Sequence, residues 1–339
     1  MATTLKHIAQ KAGVSVTTVS RILNGRESGL PIRDDTRQRV LAVALELGYK
    51  PNLLARGLRG SHSSLLGVIV RDITEPFFAQ IVKGINAAAI QRGNRLFLGH
   101  VERQPDTTID YGSMFEQSHA DGILIIGDMQ DDAQAVQYLT EHHHYVVGVT
   151  DRTHRRAFPG VYTDSEVGTR LAMEHLWGLG HRRILCVSDP SISDGTLRVA
   201  TYERFMRERR AEEHIGVVLT TRSPEGGLEV GQRLFAQPAP PTAIFAATDT
   251  LAIGLIQAAY EAGIAVPGQV SVIGYDDIDM ARFTIPPLTT ISQSGFTMGY
   301  TATNLILDMI EQQANAADTA DIVLPSRLIV RQSTGAVQS

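Results

Sequence analysis

The sequence predicts a small all-α helix-turn-helix unit followed by a two-lobed α/β region built on doubly wound parallel sheets. Three observations carry that prediction. Leu5, Ile8, Ala9 and Ala12 repeat at helical spacing and end at Gly13, and a second stretch with one apolar face starts at Ser15. From Ser64 onward short apolar runs alternate with amphipathic stretches, as strands and crossover helices do. Charge is also divided unevenly. Residues 1–60 hold ten Lys or Arg against four acids, a net of +6, whereas the whole chain is −5, so the remainder carries −11.

Each element follows from local chemistry. Gly13 gives the backbone freedom for a tight turn, and Ser15 is a good N-cap for a second helix that runs to Leu23 and closes at Asn24-Gly25. Val14, Val19 and Ile22 then face inward, which leaves Thr17, Thr18 and Arg21 outward and Val16 near the helix start. Thr hydroxyls and methyls can meet base edges, and Arg can pair with guanine or phosphate. A basic unit in an acidic chain is the charge distribution of a polyanion binder, so this unit is expected to hold DNA. A third helix follows, then the segment Pro51–Arg59.

In the α/β region strands are expected at 65–70, 95–99, 122–126, 145–149, 184–188, 217–220, 243–246 and 270–275. Runs such as Leu65–Val70 and Gly122–Ile126 are almost wholly apolar, which fits burial on both faces of a parallel sheet. Eight strands in 339 residues, 43% of them hydrophobic, suit two lobes better than one sheet. Ligands bind outside the carboxyl ends of such strands, here the cleft between lobes. The candidates so placed are Asp72, Phe77 and Phe78 after the first strand, Asp151 after the fourth, then Arg198, Arg222, Asp249 and Asp276. Aromatic faces suit a sugar or a flat heterocycle, and an Arg with an Asp can clamp hydroxyls by charge-assisted hydrogen bonds. Phe77 reads equally as a core residue, Phe78 less so, and Asp276 reads equally as a turn residue.

Other features exclude other functions. The single cysteine, Cys186, lies in the apolar run Ile184–Val187 and reads as a buried strand residue. His142, His143 and His144 are adjacent and fan out on a helix, so they cannot converge on one metal ion. Asp276 to Asp279 lacks the spacing of a calcium loop, and Gly226-Gly227 is no phosphate loop. Trp177 is expected to pack on a helix. No nucleophile, base and oxyanion-donor set and no cofactor fingerprint stands out, so neither an enzyme nor a cofactor is expected. No apolar run reaches the roughly 20 residues that span a bilayer, and no leader precedes the first helix, so a cytoplasmic protein without a membrane partner is expected.

The run Thr4–Gly25, with Gly48-Tyr49-Lys50-Pro51-Asn52, Ala55-Arg56-Gly57-Leu58 and the stretch Thr248–Asp277, resembles the LacI/GalR family of bacterial transcriptional repressors. That resemblance implies a periplasmic-binding-protein-like ligand domain and a chain that crosses between its lobes three times, expected near 160, 292 and 323. It implies a headpiece at 1–49, a hinge helix and linker at 50–62 and an effector-binding and dimerisation domain at 63–339. The N-lobe is expected at about 63–160 plus 293–322, and the C-lobe at about 161–292 plus 323–339. By the same resemblance Val16, Thr17 and Arg21 read the major groove and Leu58 wedges into the minor groove. Leu5, Ser15, Thr18, Ser20, Asn24, Tyr49, Asn52, Ala55 and Arg56 complete the expected DNA surface. Arg198, Asp249 and Asp276 match effector-holding positions.

What the resemblance implies is a nucleoid-associated homodimer on a palindromic operator, released by a sugar or sugar derivative. A purine-type corepressor and a transporter's solute-binding protein are the alternatives. Two departures stand out. Residues 25–35 are longer than the family usually carries. Arg222 stands where relatives often show a stacking aromatic, and with Arg198 and Arg71 it hints at an anionic effector such as a sugar acid or sugar phosphate. The tail Val330–Ser339 carries no leucine heptad, so a tetramerising extension is not expected.

Overall fold

The structure, a computed structural model, describes residues 4–23, 32–49, 63–100, 120–127, 133–150, 157–190, 193–315 and 318–338. It divides into two units, residues 1–63 and 64–339. Asn24, Asn52, Ala55, Arg56, Leu58 and Asp151 fall outside the described residues.

The first unit packs α1 (Leu5–Ala12), α2 (Val16–Leu23) and α3 (Asp34–Glu46). Gly13 sits at φ +66°, a left-handed conformation that glycine adopts without a Cβ clash, and the chain turns there. The side chain of Ser15 accepts the Thr18 N–H at 3.0 Å, the N-cap geometry expected for α2. Ile8, Ala9, Ala12, Val19, Ile22, Val40, Val43 and Ala44 form the core, with Leu5, Val14 and Tyr49 packed against it.

In the second unit the first sheet holds β1 (Leu65–Val70), β2 (Arg95–His100), β3 (Gly122–Ile126), β4 (Val146–Val149), β5 (Gly160–Thr163) and, late in the chain, β11 (Ile322–Leu324). Its order is β11-β5-β4-β3-β1-β2 and every pairing is parallel. The second sheet, also parallel, has the order β7-β6-β8-β9, from β6 (Ile184–Ser188), β7 (Gly216–Leu219), β8 (Ala243–Ala246) and β9 (Ser271–Ile273). A short antiparallel pair, β10 (Thr290–Ser292) with β12 (Arg327–Ile329), completes the strands described. The helices are α4 (Pro76–Gln91), α5 (Ala133–His142), α6 (Ser165–Gly178), α7 (Ser193–Glu208), α8 (Pro224–Phe235), α9 (Asp249–Glu261) and α10 (Gly295–Gln312). The chain passes from one sheet to the other after β5, after β10 and between β11 and β12.

The helix pair α4 and α10 covers the first sheet at unusually close range. A Cβ on Gly84 would lie 2.0 Å from the Phe296 carbonyl oxygen, and one on Gly299 would lie 2.1 Å from the Ile81 carbonyl oxygen. The two glycines therefore let the backbones touch. This contact holds a C-terminal helix onto the N-terminal sheet.

The expected eight strands are present within a residue or so, apart from the last. Instead of 270–275, β9 ends at Ile273, because Asp276 and Asp277 take positive φ values of +117° and +56° and turn the chain. Four strands, β5, β10, β11 and β12, have no counterpart in the expectation. At three or four residues each, they are too short to display a period. Trp177 packs edge-on against Phe205, 6.0 Å between centroids, as a packing residue does. His142 stacks on Tyr138 and Cys186 is fully buried. Among the described residues no helix is long and apolar enough to cross a membrane.

Candidate functional site

Two surfaces carry the candidate residues. On the headpiece, Val16 is 41% exposed on the first turn of α2, and Ser15 and Thr17 are exposed beside it. Thr18, Ser20 and Arg21 are half-buried one turn further on. The Thr18 hydroxyl lies 2.8 Å from that of Ser15, so its first duty is to the helix cap. Leu5 and Tyr49 are half-buried against the three-helix core and position α2 from behind.

The second surface forms where the carboxyl ends of the two sheets face each other. After β1 come Asp72 and Glu75. One oxygen of Asp72 accepts the Thr74 N–H at 2.9 Å and the Thr74 hydroxyl at 2.5 Å. Glu75 caps α4 from the position before Pro76, its Oε1 accepting the Phe77 N–H at 3.4 Å. The second oxygen of each faces Arg222, which follows β7 in the other sheet. Nη2 of Arg222 lies 2.8 Å from Asp72 Oδ2, and Nε lies 2.8 Å from Glu75 Oε2. Burial pushes the Glu75 carboxyl above the usual range, against the pull of Arg222. Burial acts the same way on Asp72, but the Thr74 donors and Arg222 outweigh it and hold that carboxyl low.

Arg198, on α7 behind β6, is the largest fully buried side chain among the described residues. Its Nη1 donates to the Ala247 carbonyl at 2.6 Å and lies 3.7 Å from Asp276 Oδ1, and Nη2 lies 3.5 Å from Asp194 Oδ2. Its guanidinium carbon is 3.7 Å from the centroid of the Tyr275 ring. Its Nε has no hydrogen-bond partner among the described residues. Asp276 Oδ1 also accepts from Gln293 Nε2 at 2.6 Å, and Gln293 accepts the Thr163 hydroxyl at 2.6 Å. That chain of contacts runs from Arg198 to the two crossovers after β5 and β10.

The structure brings Asp72, Arg198, Arg222 and Asp276 to this edge and corrects three expectations. Asp249 spends both carboxylate oxygens inside the fold. It is wholly buried, Oδ1 accepts the Thr290 hydroxyl at 2.5 Å, Oδ2 accepts the Ile278 N–H at 2.9 Å, and burial pushes its pKa up to about 7. Phe77 is a core residue, 4% exposed and packed where Gly295 leaves room. Phe78 is half-buried beside Gly127 and keeps an edge toward the strand ends. The anionic-effector hint also loses its basis, because the Arg222 guanidinium is already met by two carboxylates.

Sequence reasoning missed Glu75, Tyr275 and Gln293. A Glu ahead of a helix-starting Pro is an uncommon cap, and that was the available signal for Glu75. Tyr275 and Gln293 carried none, since their partners lie far off in sequence.

Fold and site together define a DNA-binding headpiece joined to a two-sheet unit with a polar, charge-paired edge between the sheets. Residues 4–52 match the family model for bacterial regulatory proteins of the lacI family, and residues 173–334 match a periplasmic binding protein-like domain. The chain is 32% identical to the HTH-type transcriptional repressor PurR of Erwinia tasmaniensis, over 94% of both chains. It is also 32% identical to the HTH-type transcriptional regulator DegA of Bacillus subtilis, over 98% of each. A solved lac repressor dimer bound to operator and the anti-inducer ONPF superposes with a TM-score of 0.86 at 29% identity, covering 99% of this chain and all of that one. A ribose-bound LacI family regulator from Enterococcus faecium gives 0.73 at 28% identity, over 81% of this chain and all of its own. The chain belongs to the LacI family and is a DNA-binding transcriptional repressor, not an enzyme.

Proposed function

We propose that the protein acts as a cytoplasmic homodimer on a palindromic operator and is released by a sugar or sugar derivative bound between the two sheets of residues 64–339. Val16, Thr17 and Arg21 would face the major groove, and the segment containing Leu58 the minor groove. A two-fold operator calls for a two-fold protein. The observation that carries the effector reading is the buried Arg198, held on Tyr275 beside Asp276, with an unmet Nε donor. A rigid cation and carboxylate at a strand-end edge fit vicinal hydroxyls. Ribose in the Enterococcus regulator, and cellobiose in a solved regulator 27% identical over 98% of this chain, support that class. The effector shifts the population of two lobe arrangements, and operator affinity follows.

A second reading, a purine corepressor that tightens operator binding, is kept because repressors named PurR are among the relatives. Thermal-shift screening of the purified protein with ribose, cellobiose, gluconate, glucose 6-phosphate and hypoxanthine, followed by operator binding with each hit, separates the two. A sugar that raises Tm and releases DNA supports induction. Hypoxanthine that raises Tm and tightens DNA binding replaces it.

A further inference from the structure

We propose that Arg222 is a built-in tether across the cleft, whose guanidinium occupies the Asp72–Glu75 carboxylate pair, sets lobe closure without effector and yields that position to effector donors. The inference rests on reading this edge as the regulatory site.

The geometry is prepared on both sides. Arg222 is fixed to the second sheet, its backbone N–H donating to Asp189 Oδ2 at 3.0 Å. Asp72 and Glu75 are fixed beside the first sheet, one oxygen of Asp72 held by Thr74 and one of Glu75 by the Phe77 N–H of α4, and the other oxygen of each is presented across the gap. Nε and Nη2 of Arg222 thus meet two oriented acceptors, in an arrangement stronger than a single exposed ion pair. The side chain of Arg222 is only 15% exposed and that of Glu75 4%, so salt screens this contact less than a surface bridge. Two other links lie on the same side, Gln80 Nε2 donating to the Asp277 carbonyl at 2.9 Å and Lys83 beside Asp279 at 3.1 Å. The latter pair is exposed and weak.

Among the described residues Arg222 is therefore the link that most resists opening. Once it moves aside, two carboxylates remain, which accept hydroxyl or ammonium donors and repel carboxylate or phosphate. The tether thus opposes the anionic effectors that an unpaired Arg222 would attract.

The test uses the full chain with no effector added. Gln134→Cys on α5 and Gln237→Cys after α8 place fluorophores at exposed positions on opposite lobes, and the native Cys186 is buried and does not label. The expected result is a mainly closed wild type by single-molecule energy transfer, with the closed-to-open ratio at least tenfold lower in Arg222→Ala. Glu75→Gln should show a smaller shift in the same direction. An unchanged distance distribution in both variants overturns the tether. If Arg222→Ala fails to fold, the pair Asp72→Asn with Glu75→Gln decides in the same way. A sugar-induced Tm rise in the wild type alongside unchanged distances would retire the tether and leave the effector site standing.

Discussion

The guanidinium carbon of Arg198 sits over the Tyr275 ring, 3.7 Å from its centroid, and the pair is buried behind the strand ends of the second sheet. A desolvated cation over an aromatic face contributes about 2 kcal/mol. Tyr275→Leu should cost about that much in urea unfolding, and Tyr275→Phe should stay within about 1 kcal/mol of wild type.

Removing the cation has a larger effect. Arg198→Ala leaves the Asp276 carboxylate buried without its partner, and breaking a buried pair this way costs about 3–5 kcal/mol. Asp276→Asn added to Arg198→Ala should recover much of the loss. Arg198→Ala should also abolish the effector response measured on operator DNA, in samples shown to be folded. Retained induction would move the effector away from this edge.

Asp249 makes stability depend on pH. Its folded pKa, raised by burial to about 7, exceeds the unfolded value, so between about pH 4 and 7 the native state holds the proton that the unfolded chain has released. Its contribution is therefore fully present below pH 4 and lost as pH rises toward 7. Compared with wild type, Asp249→Asn should show a smaller decline in Tm from pH 4.5 to 7.5; parallel profiles would mean that the carboxyl is already ionised in the fold.

His181 acts with the opposite sign. Burial lowers its pKa, and its ring lies between Thr242, Ser271 and the Gly335 carbonyl. The stability it gives is present above about pH 6.5 and is lost as pH falls. His181→Asn should flatten the acid side of the stability curve, which circular dichroism melts from pH 5 to 7.5 would reveal.

Gly84→Ala tests the helix contact that closes the first sheet. The new methyl meets the Phe296 carbonyl, and since backbone must shift, a loss of about 3 kcal/mol is expected in chemical denaturation. On the headpiece, Ser15→Ala should cost about 1 kcal/mol by removing the α2 cap. Arg21→Ala should weaken operator binding and, if its contact is to phosphate, reduce the salt slope by about 1. An unaltered operator affinity would take Arg21 out of the DNA surface.

Most of the strand positions and the headpiece were legible because their signals are local. The helical repeat of Leu5, Ile8, Ala9 and Ala12, the break at Gly13 and the cap at Ser15 lie within eleven residues. Apolar runs such as Gly122–Ile126 mark buried strands by composition alone. The three-residue strands β10, β11 and β12 were not legible, because their place depends on partners drawn from elsewhere in the chain.

The candidate site shows the same division. Strand-end position, a property of the sequence, brought Asp72, Arg198, Arg222 and Asp276 forward. Only the tertiary structure decided that Asp249 spends both oxygens on Thr290 and Ile278, that Phe77 is core and that Arg222 is neutralised by Asp72 and Glu75. Periodicity and capping are set by neighbours a few residues away. The state of a charge is set by whichever group lies within 4 Å, and for Arg222 that group is 150 residues distant in sequence.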